Sequence, residues 1–251
     1  MAYSSVITAA AGNITQQSNA WPAADTNSLA DQLKIVSRLI AGGLKTKIYM
    51  VNLSGFDTHS SQTDSGNNTT GRHADLLAKV SEAIHAFLTD CEFLGTADRV
   101  IGMTFSEFGR RIISNGSSGT DHGAGAPMFL FGNKVQSGIL GTNPVIPANA
   151  TVHDNVAMQY DFRSVYATLL NQWLCVPNSD LNQIMLQNFQ QLPVIQANAC
   201  SVGIHEINAA AGTNLVSCYP NPFTERTTVT FTSHGGHASV HVYNEIGRAH
   251  V

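Results

Sequence analysis

Charge is what this sequence has least of. Asp, Glu, Lys and Arg make up 12% of its 251 residues, about half the ~25% of an average soluble domain. Ser, Thr, Asn, Gln and Gly take their place, a surface often found on exported proteins. Lys and Arg number 13 against 17 Asp and Glu. With no basic run anywhere, nucleic acid is not an expected partner. Nowhere do ~18 apolar residues follow one another, so no transmembrane segment is expected. The opening Met1-Ala2-Tyr3-Ser4-Ser5 lacks the basic and apolar regions of a signal peptide, which leaves a cytosolic protein or a missing true N-terminus. Cys91, Cys175, Cys200 and Cys218 form no C-x-x-C pair and leave the compartment open. Cys91 and Cys175 lie in helix-like apolar patterns and are expected to be buried thiols. Cys200 and Cys218 flank a linker and could pair if the protein is exported. There is no G-x-S-x-G elbow, so Ser106 is not expected to be a nucleophile.

What is present suffices for a core, since 43% of the residues are hydrophobic. Residues 1–27 are small and polar and read as irregular. Ser28 is the expected cap of a helix whose apolar stripe is Leu29, Leu33, Val36 and Ile40, and Gly42-Gly43 stops it. Lys47 to Leu53 reads as a buried strand and 54–71 as a polar loop. A long helix is predicted from about His73 to Leu94, with Leu76, Leu77, Val80, Ile84, Phe87 and Leu88 inward. Arg99 to Phe105 is a second buried strand, 106–127 a Gly/Ser-rich loop, and Met128 to Phe131 a third strand. Another helix spans Tyr160 to Leu174, with Phe162, Val165, Tyr166, Leu169, Leu170 and Trp173 inward. This alternation is that of an α/β domain with a mainly parallel sheet sandwiched by helices. In such sheets ligands sit beyond the carboxyl ends of the strands. The loops 54–71 and 106–127 both leave such ends.

Those loops hold the residues with chemistry. The first reads Gly55-Phe56-Asp57-Thr58-His59-Ser60. The second reads Ser106-Glu107-Phe108-Gly109-Arg110-Arg111, then Gly119-Thr120-Asp121-His122-Gly123. Asp57, His59, Glu107, Asp121 and His122 mix carboxylates with imidazoles, a donor set for a divalent ion such as Zn²⁺, Mn²⁺ or Ca²⁺. Each motif alone also suits a turn or a cap; two at neighbouring strand ends raise the metal reading to even weight. Arg110 and Arg111 are candidates to clamp an anionic substrate group, with an Arg–Glu pair pinning the loop as the alternative.

The segments GFDTHSSQ (55–62), RHADLLAKVSEAIHAFLTD (72–90), DRVIGMTFSEFGRRIISNGSSGTDHGAGAPMFLFG (98–132) and DFRSVYATLLNQWL (161–174) resemble the DUF1501 family, related to sulfatases and alkaline phosphatases. The resemblance implies an α/β sandwich and a two-metal site for phosphate or sulfate ester hydrolysis. Asp57 and His59 resemble the first ligand pair of that superfamily. Its later Asp-His-Gly matches this chain in either of two registers. One lays it on Asp121-His122; the other lays it on Ser106-Glu107-Phe108-Gly109 and makes His122 a separate, later ligand. The second is preferred, because a predicted strand runs straight into Ser106 and another follows His122. It keeps Asp57, His59 and His122 as one site and puts Phe108 where a ligand His would stand. The superfamily's nucleophile comes from a region this chain lacks, so these residues are expected to turn nothing over by themselves.

The texture changes after about residue 200. Residues 201–213 read as a linker between an α/β domain at 1–200 and a small β unit at 214–251. Tyr219-Pro220-Asn221-Pro222-Phe223, two alternating stretches at 227–232 and 238–243, and Val242-Tyr243-Asn244 with Gly247 resemble the C-terminal sorting domain of the type IX secretion system. That resemblance implies type IX machinery as a partner, passage through the periplasm, and a secreted or surface-attached protein. Two readings result: a metal-dependent hydrolase of small-molecule or glycan esters, or a secreted binding or structural protein that keeps the fold without chemistry.

Overall fold

A computed structural model describes residues 2–197, 199–200, 213–219, 228–233, 242–243 and 249–250. The chain divides into two compact units, 1–200 and 201–251.

The first unit begins with α1 (Ala2–Gly12), where the sequence had suggested irregular chain. The residues are small and uncharged, so no polar face marks the helix. In α2 (Ser28–Ala41) the cap is Asn27, not Ser28, its side-chain oxygen accepting from Ala30 N. Asn27 is 1% exposed, and its amide also donates to Lys79 O and Glu82 Oε2 at 2.9 Å each. Both acceptors lie on α3 (Arg72–Phe93). The buried face of α3 is Ala83, Ala86, Phe87, Asp90 and Cys91. It is turned from the predicted stripe, and Leu77 is 46% exposed. Small residues let α2 lie close, and Phe87 fills the joint with Leu29, Leu33, Val36 and Val100. Burying a Phe there contributes ~1.5–3 kcal/mol. Asp90, fully buried, accepts from Ser37 Oγ (2.6 Å), Gln17 Nε2 (2.8 Å) and Ser18 N (2.6 Å). It ties the segment after α1 to both helices. Burial pushes the neighbouring Cys91 thiol up to about 11.

The predicted strand 47–53 packs Tyr49, Val51 and Leu53 on the α2–α3 core and turns Ile48 and Met50 outward, but among the described residues it belongs to none of the strand pairs. A 3₁₀ turn (Ala97–Arg99) leads to β1 (Gly102–Met103), which pairs antiparallel with β4 (Leu130–Phe131). Within the predicted loop 106–127, β2 (Gly109–Arg110) and β3 (His122–Gly123) pair antiparallel, Gly109 opposite Gly123 and Arg110 opposite His122. Among the described residues every strand pair is antiparallel.

Helix α4 (Phe162–Gln172) is capped by Asp161, which accepts from Arg163 N. It buries Ser164, Val165, Ala167 and Thr168, while Phe162 stays 54% exposed, so its inner face is smaller and more polar than predicted. Thr168 Oγ1 donates to Ser164 O and accepts from Leu192 N (2.9 Å), which explains a hydroxyl at that depth. A further helix, α5 (Asn178–Met185), occupies a stretch that reads as decaying Gln/Asn-rich sequence; Leu181 is its one buried residue. Cys175 is not a free thiol: it is joined to Cys200, while Cys91 is buried and free.

In the second unit β5 (Thr213–Tyr219) pairs antiparallel with β6 (Thr228–Ser233), with a register shift between Leu215 and Ser217. Two short strands, β7 (Val242–Tyr243) and β8 (Ala249–His250), pair likewise. The predicted linker up to residue 212, the Pro220–Phe223 motif and residues 238–241 lie outside the described residues.

Candidate metal centre

The site stands on two loops that grip one another. Residues 54–62 follow the extended segment 47–53, and residues 111–121 join β2 to β3. Ser61 N donates to Ser117 O (3.1 Å), Gln62 N to Ser118 O (2.9 Å), and Thr120 N to Thr58 O (3.2 Å). Ser61 and Ser118 hold left-handed backbone, φ 48° and 56°, which costs ~1 kcal/mol or more each and is held by these cross-loop bonds. At Gly119 a Cβ would collide with the backbone of His59, so only glycine allows this approach. Beneath the loops Gln62 Oε1 accepts from Thr58 Oγ1 (2.9 Å) and from Thr120 Oγ1 (2.7 Å), with Thr58 fully buried.

Thr58 N donates back to Phe56 O (2.8 Å), a tight turn around Asp57. With Thr58 turned in, Asp57 and His59 stay at the surface, both exposed. The β2–β3 register puts His122 beside Arg110 and delivers it to the same point. The expected convergence of Asp57, His59 and His122 is present. His122 Nε2 lies 2.8 Å from Asp57 Oδ1, His59 Nε2 3.1 Å from the same oxygen, and the two Nε2 atoms 3.1 Å apart. Donors bound at ~2.0–2.2 Å stand ~2.8–3.1 Å apart around an octahedral ion and ~3.3–3.6 Å apart around a tetrahedral one. The triangle therefore fits a single octahedral ion as it stands, and a tetrahedral one after an outward shift of a few tenths of an ångström.

Around the triangle stands a second ring of groups. Asp121 Oδ1 is 3.1 Å from His59 Nδ1 and accepts from Asn115 Nδ2 at 3.0 Å. The Phe108 ring stacks on the His122 ring, and the Arg110 guanidinium sits 5.5 Å from the Phe108 centroid. Arg110 Nη2 donates to Asp57 Oδ1 (2.9 Å) and to Phe56 O (2.5 Å), and Nη1 to Thr120 O (2.7 Å). Arg111 Nε donates to His122 O (2.9 Å), and its Nη1 to His153 O. The Asp57 carboxyl is held below the ordinary carboxylate range, first by the His122 hydrogen bond and then by Arg110 and the charge of the imidazoles. Asp121 is also held low, by Asn115 first and His59 next. Partial burial, with the nearby Arg110 charge, pushes His73 down.

Of the other expected residues, Glu107 is exposed and outside the triangle. Asp121 meets the far nitrogen of His59. Both arginines are turned to backbone carbonyls, and Arg110 to Asp57 as well. Asn115 was not singled out from the sequence. Its signal was the dipeptide Asn115-Gly116, a turn signature that carries no chemistry until its partners are known.

Residues 11–185, more than half of the chain, match the family described as "Protein of unknown function (DUF1501)". No curated protein and no solved structure matches the chain.

Proposed function

This chain belongs to the DUF1501 family, and we propose that it holds one divalent metal ion on Asp57, His59 and His122 and serves the hydrolysis of phosphate or sulfate esters. One observation carries this reading: two imidazole Nε2 atoms and a carboxylate oxygen face each other at 2.8–3.1 Å on an exposed surface. Zn²⁺ and Mn²⁺ suit this donor set better than Ca²⁺, which prefers oxygen ligands. The ion's contribution is that of a Lewis acid toward a phosphoryl or sulfuryl oxygen. Arg110, fixed by Phe56 O and Thr120 O, sets a permanent positive charge beside the site for an anionic small-molecule or glycan ester. Arg111 adds a second charge while it fixes the backbone of His122. Phe108 covers one side of His122 where a further ligand would have to stand, which limits the site to one ion. No residue of the chain is assigned as nucleophile.

The alkaline-phosphatase-like fold, with a mainly parallel sheet, belongs to the same proposal. Its support is a helical layer, α2 and α3, packed on the extended segments 47–53 and 130–131. Export by the type IX machinery through residues 214–251 is also proposed. It is supported by the Tyr219–Phe223 motif and by the Cys175–Cys200 disulfide, since disulfides persist mainly outside the reducing cytosol.

The test is metal content. The chain is dialysed separately against Zn²⁺, Mn²⁺ and Ca²⁺, and bound metal is measured by atomic emission. One equivalent, lost in His122→Ala, is expected; no retained metal in the unaltered chain overturns the site. Aryl phosphates and aryl sulfates are then assayed. Metal-dependent turnover abolished by His122→Ala supports the hydrolase. Metal retained without turnover supports the second reading, a binding protein, which the Arg110–Asp57 ion pair favours because it partly neutralises the site.

A further inference from the structure

A cleft of about 300 Å³ opens where α5 and the residues after it meet α4. Five carboxamides line it. Asn178 and Asn182 come from α5, one turn apart on one face, and Gln187, Asn188 and Gln191 from the segment that follows. Leu186 turns that segment back with left-handed backbone, φ 60°, a conformation ordinarily left to Gly or Asn. Among the described residues none of the five side chains bonds another group of the protein, and Gln191 Oε1 is buried without a partner. Buried polar atoms are nearly always paired, so an unmet acceptor in a cleft marks a place for a donor from outside. The floor is apolar: Ala167, Leu181 and Phe189 are buried, with Met185 beside them. The lining is held from behind. Leu192 N donates to Thr168 Oγ1 (2.9 Å), and the Arg163 guanidinium sits 4.6 Å from the Phe189 centroid. Every lining residue except Ala167 lies in the loop closed by Cys175 and Cys200.

We propose that this cleft binds a neutral hexose ring. A carboxamide offers two donor hydrogens and an acceptor oxygen. A sugar hydroxyl both donates and accepts, so neighbouring hydroxyls meet both ends of one amide. The C–H face of the ring has Leu181 and Met185 to lie on. Among the described residues that line the cleft none is charged, so an ionic ligand finds no counter-charge there. A wholly apolar ligand would bury the amides unpaired. A peptide also donates and accepts, but its groups are strung along a backbone, whereas these five gather around a space at the small end of the ~300–1,000 Å³ of ligand clefts. This site goes beyond the metal reading and does not depend on it.

The test reads the carboxamides themselves. Side-chain NH₂ signals of the full ¹⁵N-labelled chain are followed by NMR while glucose, galactose, mannose and N-acetylglucosamine are added singly. Each is taken to ~10 mM, enough to fill most of a site with a Kd of ~1 mM. At least one sugar should shift the Asn178, Asn182 and Gln191 signals saturably. Gln191→Leu removes the unmet acceptor and should weaken that sugar ~2- to 10-fold, the size of one hydrogen bond. Asn182→Ala should do the same, and since Asn182 is exposed this variant keeps the fold if Gln191→Leu does not. Unmoved signals with all four sugars, or unchanged affinity in both variants, overturns the proposal. Glucuronate bound more tightly than glucose overturns the neutral class. Shifts with triglycine and with no sugar make the cleft a peptide site and overturn it as well. His122→Ala should bind sugar as the unaltered chain does, so loss of the metal site leaves this inference standing.

Discussion

The ring of Phe108 lies on the ring of His122, centroids 3.6 Å apart and planes 17° from parallel. In the preferred superfamily register Phe108 falls where a ligand would stand, and in the structure it packs on His122, one of the proposed ligands. A stacked aromatic limits how far the imidazole swings.

Removal of that stack has a readable cost. Aromatic pairs contribute ~0.5–1.5 kcal/mol beyond their buried area. Phe108→Ala should therefore weaken zinc binding about 2- to 10-fold, while Phe108→Tyr should leave it unchanged. Chelator competition measures both. Equal affinity in the Ala variant would mean that His122 is held by its backbone alone.

Asp161 gives a pH-dependent prediction away from the site. Arg163, through its side chain first and its backbone N–H next, holds the Asp161 carboxyl below the ordinary range. A depressed carboxylate adds stability that is present above its unfolded-state pKa and lost as pH falls through the folded-state value. Asp161→Asn keeps a capping oxygen and removes the charge. The variant should unfold at lower temperature than the parent at neutral pH, and the gap should close in acid. Calorimetry across acidic pH checks this.

Disulfide reduction should cost the first unit stability. Cys175 and Cys200 close a loop with a sequence separation of 25, for which chain entropy predicts about 3.5 kcal/mol. The paired Cys175→Ser, Cys200→Ser variant should match the reduced parent in urea unfolding. A parent whose midpoint ignores reductant would show that the bond does not form in solution.

Asp90→Ala should be among the costliest substitutions in the chain. It takes the acceptor from three donors, the buried Ser37 Oγ and the half-buried Gln17 Nε2 and Ser18 N, and the expected loss is ~3 kcal/mol. Urea unfolding of the variant beside Ser37→Ala tests it. Ser37→Ala removes only one donor and should cost ~1 kcal/mol.

How far the sequence could be read depends on how local each signal is. Helices α2 and α3 were legible because apolar residues recur at helical spacing, though the buried face of α3 follows its alanines rather than its leucines. Helix α1 was not legible, because residues 2–12 carry no charge to mark an outer face. Asp57, His59 and His122 were legible as chemistry, since Asp-x-His and Asp-His-Gly sit in loops after apolar runs. Asn115 and the role of Asp121 were not. They depend on which of several oxygens and nitrogens face one another across loops more than fifty residues apart in sequence. The pairing of Cys175 with Cys200 was hidden for the same reason: spacing does not specify connectivity.

Gln62 gives the site a separable foundation. The inner sides of the two loops are joined by Thr58 and Thr120 at one amide oxygen, and the outer sides carry Asp57, His59 and His122. Substitutions on the outer side change which donors are offered without touching what clasps the loops. Substitutions at Gln62 would loosen all the donors at once. The platform can thus pass through many exchanges of ligand type, including ones that end metal binding, and still keep its shape: variation in chemistry and persistence of form are assigned to opposite faces of the same few residues.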